Sequence, residues 1–260
     1  MPEGDAVYRT AERLREALDG RVLTRSDFRV PRHATADLTG RAVTHTVSYG
    51  KHLLTRVEGG LTVHTHLRMD GSWLVLPAGR RLPQGGDRVR LVLANAAWQA
   101  VGMRLGMVDL LATEREDTVI GHLGPDLLGP GWDQDEAVAR LRAHPDTTIG
   151  EALLDQRNLA GIGTIYRAET LFLRGVSPWS PVRAVADLDG LVSLAQRLLA
   201  ANKDHAGTVT TGDRRRGFET WVYGRAGRPC RRCGSRIRSG EMGVGPQERL
   251  ILWCDRCQPG

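Results

Sequence analysis

The sequence predicts an α+β protein of two domains, on the basis of a change in hydrophobic period and the spacing of its cysteines. Between residues 41 and 111, apolar and polar residues alternate in short runs separated by glycine turns, which is typical of an antiparallel β-sandwich or barrel. Beyond residue 132 the apolar period becomes helical. All four cysteines follow residue 229. We therefore expect an N-terminal helix plus β-sandwich, then a helical domain with a small cysteine-rich unit.

The first helix is indicated by apolar residues that recur at i, i+4, i+7 and i+11, with a glycine as the stop signal. These residues are Val7, Ala11, Leu14 and Leu18, followed by Gly20. The segment that leads into this helix therefore lies at the positive end of the helix dipole.

Pro2 and Glu3 form a candidate catalytic pair at the start of that helix. Removal of Met1 would leave Pro2 with a secondary amine, and a reference pKa of about 7.7 to 8 leaves part of it uncharged at neutral pH. Such an amine can attack a sugar carbon and form an iminium. The helix dipole lowers the pKa of a nearby amine and favours a carboxylate. We interpret Pro2 as a nucleophile and Glu3 as a proton donor.

The domain boundaries are predicted from shifts in composition. Residues 1–122 form the catalytic β-sandwich domain and residues 123–132, rich in Gly and Pro, form a linker. Residues 133–212 form a helical domain, in which we expect helices near 135–143, 149–154, 165–173 and 188–198. Residues 213–260 form the cysteine-rich unit.

The net charge is +6 and the pI about 9.6, which indicates a polyanionic partner. Residues 203–260 hold twelve Lys or Arg against six acids, which equals the whole net charge. No apolar run approaches the roughly 20 residues of a membrane helix, and the acidic start does not resemble a signal peptide. We expect a cytoplasmic protein without a membrane partner.

Two C-x-x-C pairs indicate a metal site. Four thiolates on two tight turns can surround one Zn²⁺ tetrahedrally and leave no open position, so the metal would be structural. Binding of zinc would contribute about 10 kcal/mol to folding of this unit. Disulfides are the alternative, although a cytosolic protein disfavours them. The four ligands are Cys230, Cys233, Cys254 and Cys257.

A glycine-bearing turn over residues 155–166 precedes a predicted helix. Gly161 and Gly163 allow a ligand to approach the backbone, and the helix that begins near Thr164 offers N–H groups to an anion. The pattern predicts phosphate binding by Gly163 and Thr164. A tight turn between two helices, without a ligand, is the alternative.

Together these features resemble the formamidopyrimidine-DNA glycosylase and endonuclease VIII family of base-excision repair enzymes. The resemblance runs from Pro2 to Gln258 and is carried by short motifs in the family's order. These are the start MPEG, GKHLL at 50–54, HLRMDG at 66–71, LGPD at 123–126, the 155–166 turn, and VYGR at 222–225 leading into Cys230. It implies a helix, two turns, helix module and a C-terminal zinc finger.

The resemblance also implies a mechanism. Pro2 would attack C1′ of a damaged nucleotide while Glu3 protonates the sugar as the base leaves. Lys51 would assist the β,δ-elimination that cuts the abasic strand, and Arg249 would grip the phosphates at the lesion. The implied partner is double-stranded DNA with a damaged base or an abasic site, and the protein is expected to be a monomer with one Zn²⁺.

A loop at residues 66–69 is implied to bind DNA through His66, Arg68 and Met69. In the family this loop meets the gap that the extruded nucleotide leaves, which an apolar side chain such as Met69 can fill. Packing of Met69 in the sandwich core is the alternative. His64 lies on the same strand face as His66, and we expect it to contact phosphate or solvent rather than a metal.

The sequence departs from the family pattern at four positions. Ala6 stands where a glutamate is common, and Thr164 replaces the phosphate-binding asparagine. Met103 and Leu105 stand where the formamidopyrimidine branch places Arg and Phe. The last pair favours the endonuclease VIII side of the family and therefore oxidised pyrimidines as substrates.

Two other functions remain open from the sequence. A non-catalytic or lyase-only binder of abasic DNA on the same scaffold is compatible with the changes at Ala6 and Thr164. A tautomerase would also use an N-terminal proline, but the basic, cysteine-rich C-terminal unit disfavours it.

Overall fold

The structure, a computed structural model, describes residues 2–82, 88–243 and 249–260. The chain divides into two compact units, one ending at His122 and the other beginning at Leu123. Within the described residues, no helix has the length and apolar character that crossing a bilayer requires.

Helix α1 (Gly4–Leu18) follows directly from the predicted apolar period. Val7, Ala11, Leu14 and Leu18 are each at most 1% exposed, and they pack against strands of both sheets of the first unit. The helix ends where the chain turns through Gly20 at φ 71°. The periodicity therefore predicted both the helix and the side that it buries.

The first unit contains two four-stranded antiparallel sheets in the orders β1-β6-β7-β5 and β2-β3-β4-β8. Register is continuous from β3 to β4, where Leu53 faces Thr65 and Leu54 faces His64. The strands are β1 (Arg25–Phe28), β2 (Val43–Tyr49), β3 (His52–Val57), β4 (Leu61–His66), β5 (Ser72–Pro77), β6 (Val89–Ala94), β7 (Trp98–Met103) and β8 (Met107–Ala112).

The alternation of these strands separates an apolar face from a polar one. In the β2-β3-β4-β8 sheet, Leu53 and Val63 point into the core beside α1. The opposite face carries a bidentate ion pair in which Arg56 donates to Glu116 at 2.9 and 2.7 Å. Thr62 also donates to Glu116, at 2.6 Å. This outer face is therefore a hydrogen-bonded polar layer.

The second unit begins as a helical domain. Its elements surround a core that includes Leu127, Leu153, Tyr166 and Leu191, each fully buried. The helices are α3 (Gln134–Arg142), α4 (Ile149–Ala152), α5 (Thr164–Arg174) and α6 (Leu188–Asn202), and a short α2 (Asp117–Ile120) closes the first unit. The predicted helical segments are thus present.

Residues 123–132, predicted as a linker, are part of the second unit in the structure. Leu127 lies in its core, and its N–H donates to the carbonyl of Ala160 at 3.1 Å. A Gly- and Pro-rich composition indicates turns, but it does not show whether those turns are packed.

A two-stranded sheet, β9 (Arg238–Met242) and β10 (Arg249–Trp253), forms the C-terminal part. It shares a small apolar core with one face of α5, to which Ala168 and Phe172 contribute. The cysteine-rich unit is therefore built onto α5.

Candidate active site and nucleic-acid interface

Pro2 and Glu3 stand at the N-terminus of α1, as predicted. Glu3 is the N-cap residue, and its carbonyl accepts hydrogen bonds from the N–H groups of Ala6 and Val7 at 3.0 and 3.1 Å. Glu3 is 2% exposed, whereas Pro2 is half-buried. Met1, whose removal the catalytic interpretation requires, lies outside the described residues. The arrangement holds an acid in a buried position beside a more accessible proline.

A second acid in the same first turn was not singled out from the sequence. Asp5 is 2% exposed and accepts a hydrogen bond from Arg9 at 3.2 Å. The i,i+4 spacing of Asp5 and Arg9 in the sequence would have indicated an ion pair on one side of the helix. The charge of the buried Asp5 carboxylate is therefore balanced by Arg9, in the same helical turn that follows Glu3.

Lys51 lies in the turn between β2 and β3. Gly50 has φ 55°, in the left-handed region that glycine adopts readily, and Tyr49 faces His52 across the turn. Lys51 is half-buried, and its positive charge acts on the rings of His52 and His66. The turn therefore places this cation beside the end of β4.

The segment from His66 to Gly71, here called the β4 loop, is tightly folded. Gly71 N–H donates to the carbonyl of Leu67 at 2.9 Å, and Arg68 N–H donates to Nδ1 of His66 at 2.9 Å. Arg68 has φ 52°, in the left-handed region. Met69 is 64% exposed, so it does not pack in the sandwich core. The loop presents a cation and an apolar side chain at the surface.

His52, His64 and His66, here called the histidine cluster, meet beside this loop. His52 Nδ1 and His64 Nε2 are 2.8 Å apart, and their rings stack at 5.0 Å. The His66 ring meets His52 edge-on, also at 5.0 Å. His64 is 1% exposed, so the expectation that it contacts phosphate or solvent was wrong. The alternation of residues along β4 predicted that His64 and His66 share a face. The pairing of β3 with β4, which adds His52 to the cluster, could not be predicted from the sequence.

Burial lowers the pKa of every imidazole in the histidine cluster, which favours neutral rings at physiological pH. Burial lowers the pKa of His52 to about 3, with smaller effects from His66, His64, His122 and Lys51. Burial, then Arg68 and Lys51, lower the pKa of His66 to about 4. Burial also lowers the pKa of His64, against the opposing charges of Asp109 and Glu116.

The glycine-bearing turn of the second unit leads into α5. Gly163 is the N-cap residue and Thr164 the first helical residue, 8% exposed. Gly161 adopts φ 105°, and its N–H donates to Oε1 of Gln156 at 3.0 Å. Gln156 in turn donates to the carbonyl of Ile162 at 3.0 Å. The Gln156 side chain therefore holds the turn through two hydrogen bonds to its backbone. From the sequence, only the glycines of this turn indicated its conformation.

The four cysteines converge on one point. Their sulfur atoms all lie within 4.8 Å of one another, with Cys230 and Cys257 at 3.9 Å and Cys233 and Cys254 at 3.4 Å. Ligand sulfurs 2.3 Å from a tetrahedral zinc would be about 3.8 Å apart. All four thiols are free, and these separations are far longer than a disulfide bond of about 2.05 Å. The site therefore fits a tetrahedral thiolate-bound metal.

Arg249 is the first residue of β10 and is exposed. Other arginines of the same region serve the fold, since Arg232 lies over the rings of Phe172 and Trp221 at 4.5 and 5.8 Å. Pro2, Lys51 and the β4 loop thus belong to the first unit, and the 161–164 turn and Arg249 belong to the second.

Family models for two consecutive domains match this chain. The formamidopyrimidine-DNA glycosylase N-terminal domain matches residues 1–124, and the formamidopyrimidine-DNA glycosylase H2TH domain matches residues 123–203. The chain belongs to the formamidopyrimidine-DNA glycosylase family. The resemblance inferred from the short motifs is thereby confirmed, as is the mixed fold that it implied.

Relatives within the glycosylase family include proteins similar over the full length. A protein of Streptomyces coelicolor described as probable endonuclease 8 2 is 56% identical over 100% of this chain and 95% of its own length. Endonuclease 8 2 of Mycobacterium bovis is 48% identical over 99% and 100%. The DNA-(apurinic or apyrimidinic site) lyase Nei2 of Mycolicibacterium smegmatis is 43% identical over 99% of both chains.

Solved structures of the family share the fold. Lactococcus lactis Fpg in complex with DNA containing an abasic site superimposes with a TM-score of 0.81 at 21% identity, covering 99% of this chain and 100% of that one. The same protein in complex with DNA containing an oxidised pyrimidine also gives 0.81, at 22% identity and full coverage of both chains. At these identities the likeness concerns the fold.

Proposed function

We propose that this member of the glycosylase family is a bifunctional DNA glycosylase and apurinic/apyrimidinic-site lyase of base-excision repair, acting as a monomer on double-stranded DNA. The observation that carries the proposal is the position of Pro2 immediately before a buried N-cap glutamate, Glu3. The relatives named endonuclease 8 and abasic-site lyase support the same conclusion.

The chemistry follows from the amine that Pro2 carries once Met1 is removed. Its nitrogen attacks C1′ as the bond from C1′ to the base breaks, and the base leaves with the proton that the attacking nitrogen gives up. Glu3 donates a proton to the ring oxygen of deoxyribose, so the sugar opens and an iminium joins Pro2 to C1′. The α1 dipole keeps the amine partly uncharged.

Strand cleavage needs only proton transfers after that point. The iminium acidifies the hydrogens at C2′, and loss of one expels the 3′ phosphate by β-elimination. A second elimination expels the 5′ phosphate. Lys51, half-buried in the β2–β3 turn, is proposed to assist these transfers and to stabilise the departing phosphates.

DNA binding is assigned to three exposed or backbone-rich features. The β4 loop offers the His66 ring, the Arg68 cation and the exposed Met69, which suits the gap left by an extruded nucleotide. Gly163 and Thr164 present the N-terminus of α5 to a phosphate. Arg249 adds a cation from β10.

Zinc is the metal that the four thiolates are proposed to hold. Cys230, Cys233, Cys254 and Cys257 supply a closed tetrahedral set, which suits Zn²⁺ in a structural role. When bound, the metal would fix the turns that precede and follow the β9–β10 sheet, and it would take no part in the reaction.

Oxidised pyrimidines are the proposed substrates. Leu105 is 3% exposed in the sandwich core, and Met103 packs against the Val89, Val92 and Val101 cluster. Both side chains therefore pack within the first unit, and neither supplies the Arg or Phe of the formamidopyrimidine branch, which supports the proposed preference for pyrimidines. A panel with thymine glycol, dihydrouracil, 8-oxoguanine and abasic sites would test this preference.

The decisive experiment is reductive trapping with borohydride on a duplex that contains an abasic site. We expect a covalent complex whose cross-linked peptide maps to Pro2. A matched variant with two extra residues ahead of Pro2 converts its amine to an amide, so it should form no adduct yet still bind the duplex.

Two outcomes would contradict the proposal. One is an adduct that maps to another residue. The other is the lack of any adduct from protein that mass spectrometry shows to begin at Pro2, which would favour the non-catalytic binder of abasic DNA.

A further inference from the structure

The histidine cluster lies on the polar outer face of the β2-β3-β4-β8 sheet. His52 faces His66 directly across β3 and β4, and His64 points the same way two residues earlier. One member touches the β4 loop, because Nδ1 of His66 accepts the Arg68 N–H. A chain of ring contacts therefore connects the buried His64 to the loop.

The hydrogen bonds determine where the imidazole protons lie. Because Nδ1 of His66 accepts a hydrogen bond, its neutral ring carries the proton on Nε2. One proton occupies the 2.8 Å contact between His52 and His64. His64 Nδ1 is buried without a hydrogen-bond partner among the described residues. Buried N–H groups without an acceptor are rare, so we assign the shared proton to His64 Nε2 and leave Nδ1 bare.

The bond from Arg68 to His66 holds a strained residue. Arg68 has φ 52°, which costs free energy for any residue with a Cβ. Protonated His66 would carry a hydrogen on Nδ1 and could no longer accept the Arg68 N–H. The same proton would place a third cation beside Lys51 and Arg68, both of which already act on His66.

We propose that His52 and His64 are positioning residues that keep His66 a neutral acceptor, so that His66 holds the β4 loop in the conformation that binds DNA. The inference rests on the proposed function only in taking this loop as a DNA contact. His66 would then act through its backbone bond rather than as a cation on phosphate.

Among the residues that the structure describes, the following charged and titratable groups act on the cluster. His66 faces His52, His64, Lys51 and Arg68. His52 is also influenced by His122. His64 is influenced by Asp109 of β8 and Glu116. Cations outnumber anions on the loop side, which favours neutral rings there.

Two variants at residue 66 separate the acceptor role from a cationic role. His66→Asn places Oδ1 near the position of Nδ1, where it can accept the N–H two residues on, and it does not titrate. His66→Ala removes the acceptor. At pH 7.5, affinity for a duplex with a tetrahydrofuran abasic analogue should stay within about threefold of wild type for Asn and fall about tenfold for Ala.

The pH profile gives a second, independent readout. We expect the ratio of wild-type to His66→Asn affinity to be constant near neutral pH and to fall about tenfold toward pH 4, where His66 gains its proton. His52→Ala admits water to His66, which should raise the pKa of His66. Loss of affinity in the His52→Ala protein should therefore begin at a higher pH than in wild type, and NMR titration of His66 should show the raised pKa directly. His45→Gln, on an exposed part of β2, should change neither.

The opposite ratio would overturn the inference. If wild-type affinity rises relative to His66→Asn as the pH falls, or if Asn binds as weakly as Ala at pH 7.5, His66 acts as a phosphate-binding cation instead. Trapping through Pro2 is scored separately on the same proteins. Loss of the adduct with unchanged binding ratios would contradict the proposed chemistry and leave this inference intact.

Discussion

Arg68 is held by its neighbours on two sides. Its backbone N–H bonds to His66, and its aliphatic stem lies against Gly106. A Cβ at Gly106 would come within 2.4 Å of Arg68 Cγ and 2.6 Å of its Cβ. Because Cβ cannot swing away as a side-chain tip can, the backbone of Arg68 would have to move. The conformation of one surface arginine therefore depends on the lack of a side chain at residue 106.

We predict that Gly106→Ala weakens binding to abasic-analogue duplex about fivefold to tenfold, because it displaces Arg68 from its strained position. Fluorescence anisotropy at constant ionic strength would measure the change. Gly131→Ala is the matched control, since a Cβ there meets nothing within 4 Å. Equal affinities for the two variants would show that the position of Arg68 does not matter for binding.

Sequence reasoning identified residues whose chemistry is local and missed those that depend on register. The positions of Pro2 and Glu3 at a helix start and the convergence of the two C-x-x-C pairs were predictable because both depend on adjacent residues, and the roles proposed for Pro2 and Glu3 remain predictions. The contact between His52 and His64 depends on the pairing of β3 with β4, which alternation alone does not fix. His64 was accordingly assigned to the surface, although it is buried.

Helix α5 carries a buried acid, Glu169, whose role in holding the 210–223 segment the sequence did not indicate. Glu169 is fully buried and accepts hydrogen bonds from the backbone N–H groups of Trp221, Val222 and Tyr223, each at 2.8 Å. The hydroxyl of Thr210 also donates to it. A glutamate inside a helical pattern usually indicates a solvated face, so only the structure shows that it ties the 210–223 segment to α5.

We predict that Glu169→Gln destabilises the second unit by about 3 kcal/mol, because an amide NH₂ replaces one acceptor among buried donors. The unfolding temperature of that unit should fall by roughly 6 to 12 °C. Calorimetry would measure it, with Glu136→Gln on the exposed face of α3 as the matched control. A shift equal to that of the control would mean that the carboxylate contributes little.

Helix α1, the strands between residues 43 and 112 and the helices of the second unit were predictable because their hydrophobic periods are regular, whereas β1, β9 and β10 were not predicted. The segment 123–132 was expected as a linker, but Leu127 anchors it in the second core. Its Gly and Pro residues indicated turns correctly, and the burial of those turns depends on the bridge between Asp126 and Ala160. Such a contact between distant segments leaves no local pattern.

At the scale of the whole molecule, the two units differ in what stabilises them. The first unit has a large apolar core that joins α1 to both sheets. The C-terminal part of the second unit has a small core in which Cys230 and Cys254 are themselves buried beside Phe172 and Ile251. Stability there should depend on the metal far more than in the first unit.

We predict two thermal transitions, of which a zinc chelator lowers only that of the second unit, by more than 10 °C. Elemental analysis should give one zinc per chain before treatment. Cys254→Ser should reproduce the effect, and the first transition serves as the internal control. A chelator-treated protein that unfolds like the untreated one would contradict a structural metal site.

The strand order has a consequence for synthesis on the ribosome. Strand β1 pairs with β6, and β4 pairs with β8, so the two sheets cannot be completed before residues 103 and 112, respectively, have emerged. Helix α1 is translated first but must wait for its packing partners, because an isolated helix of 15 residues is only marginally stable. Residues 2 and 3 therefore lie on an unfolded nascent chain at least until residue 112 has been translated, so an aminopeptidase can reach the bond after Met1 before folding buries Glu3.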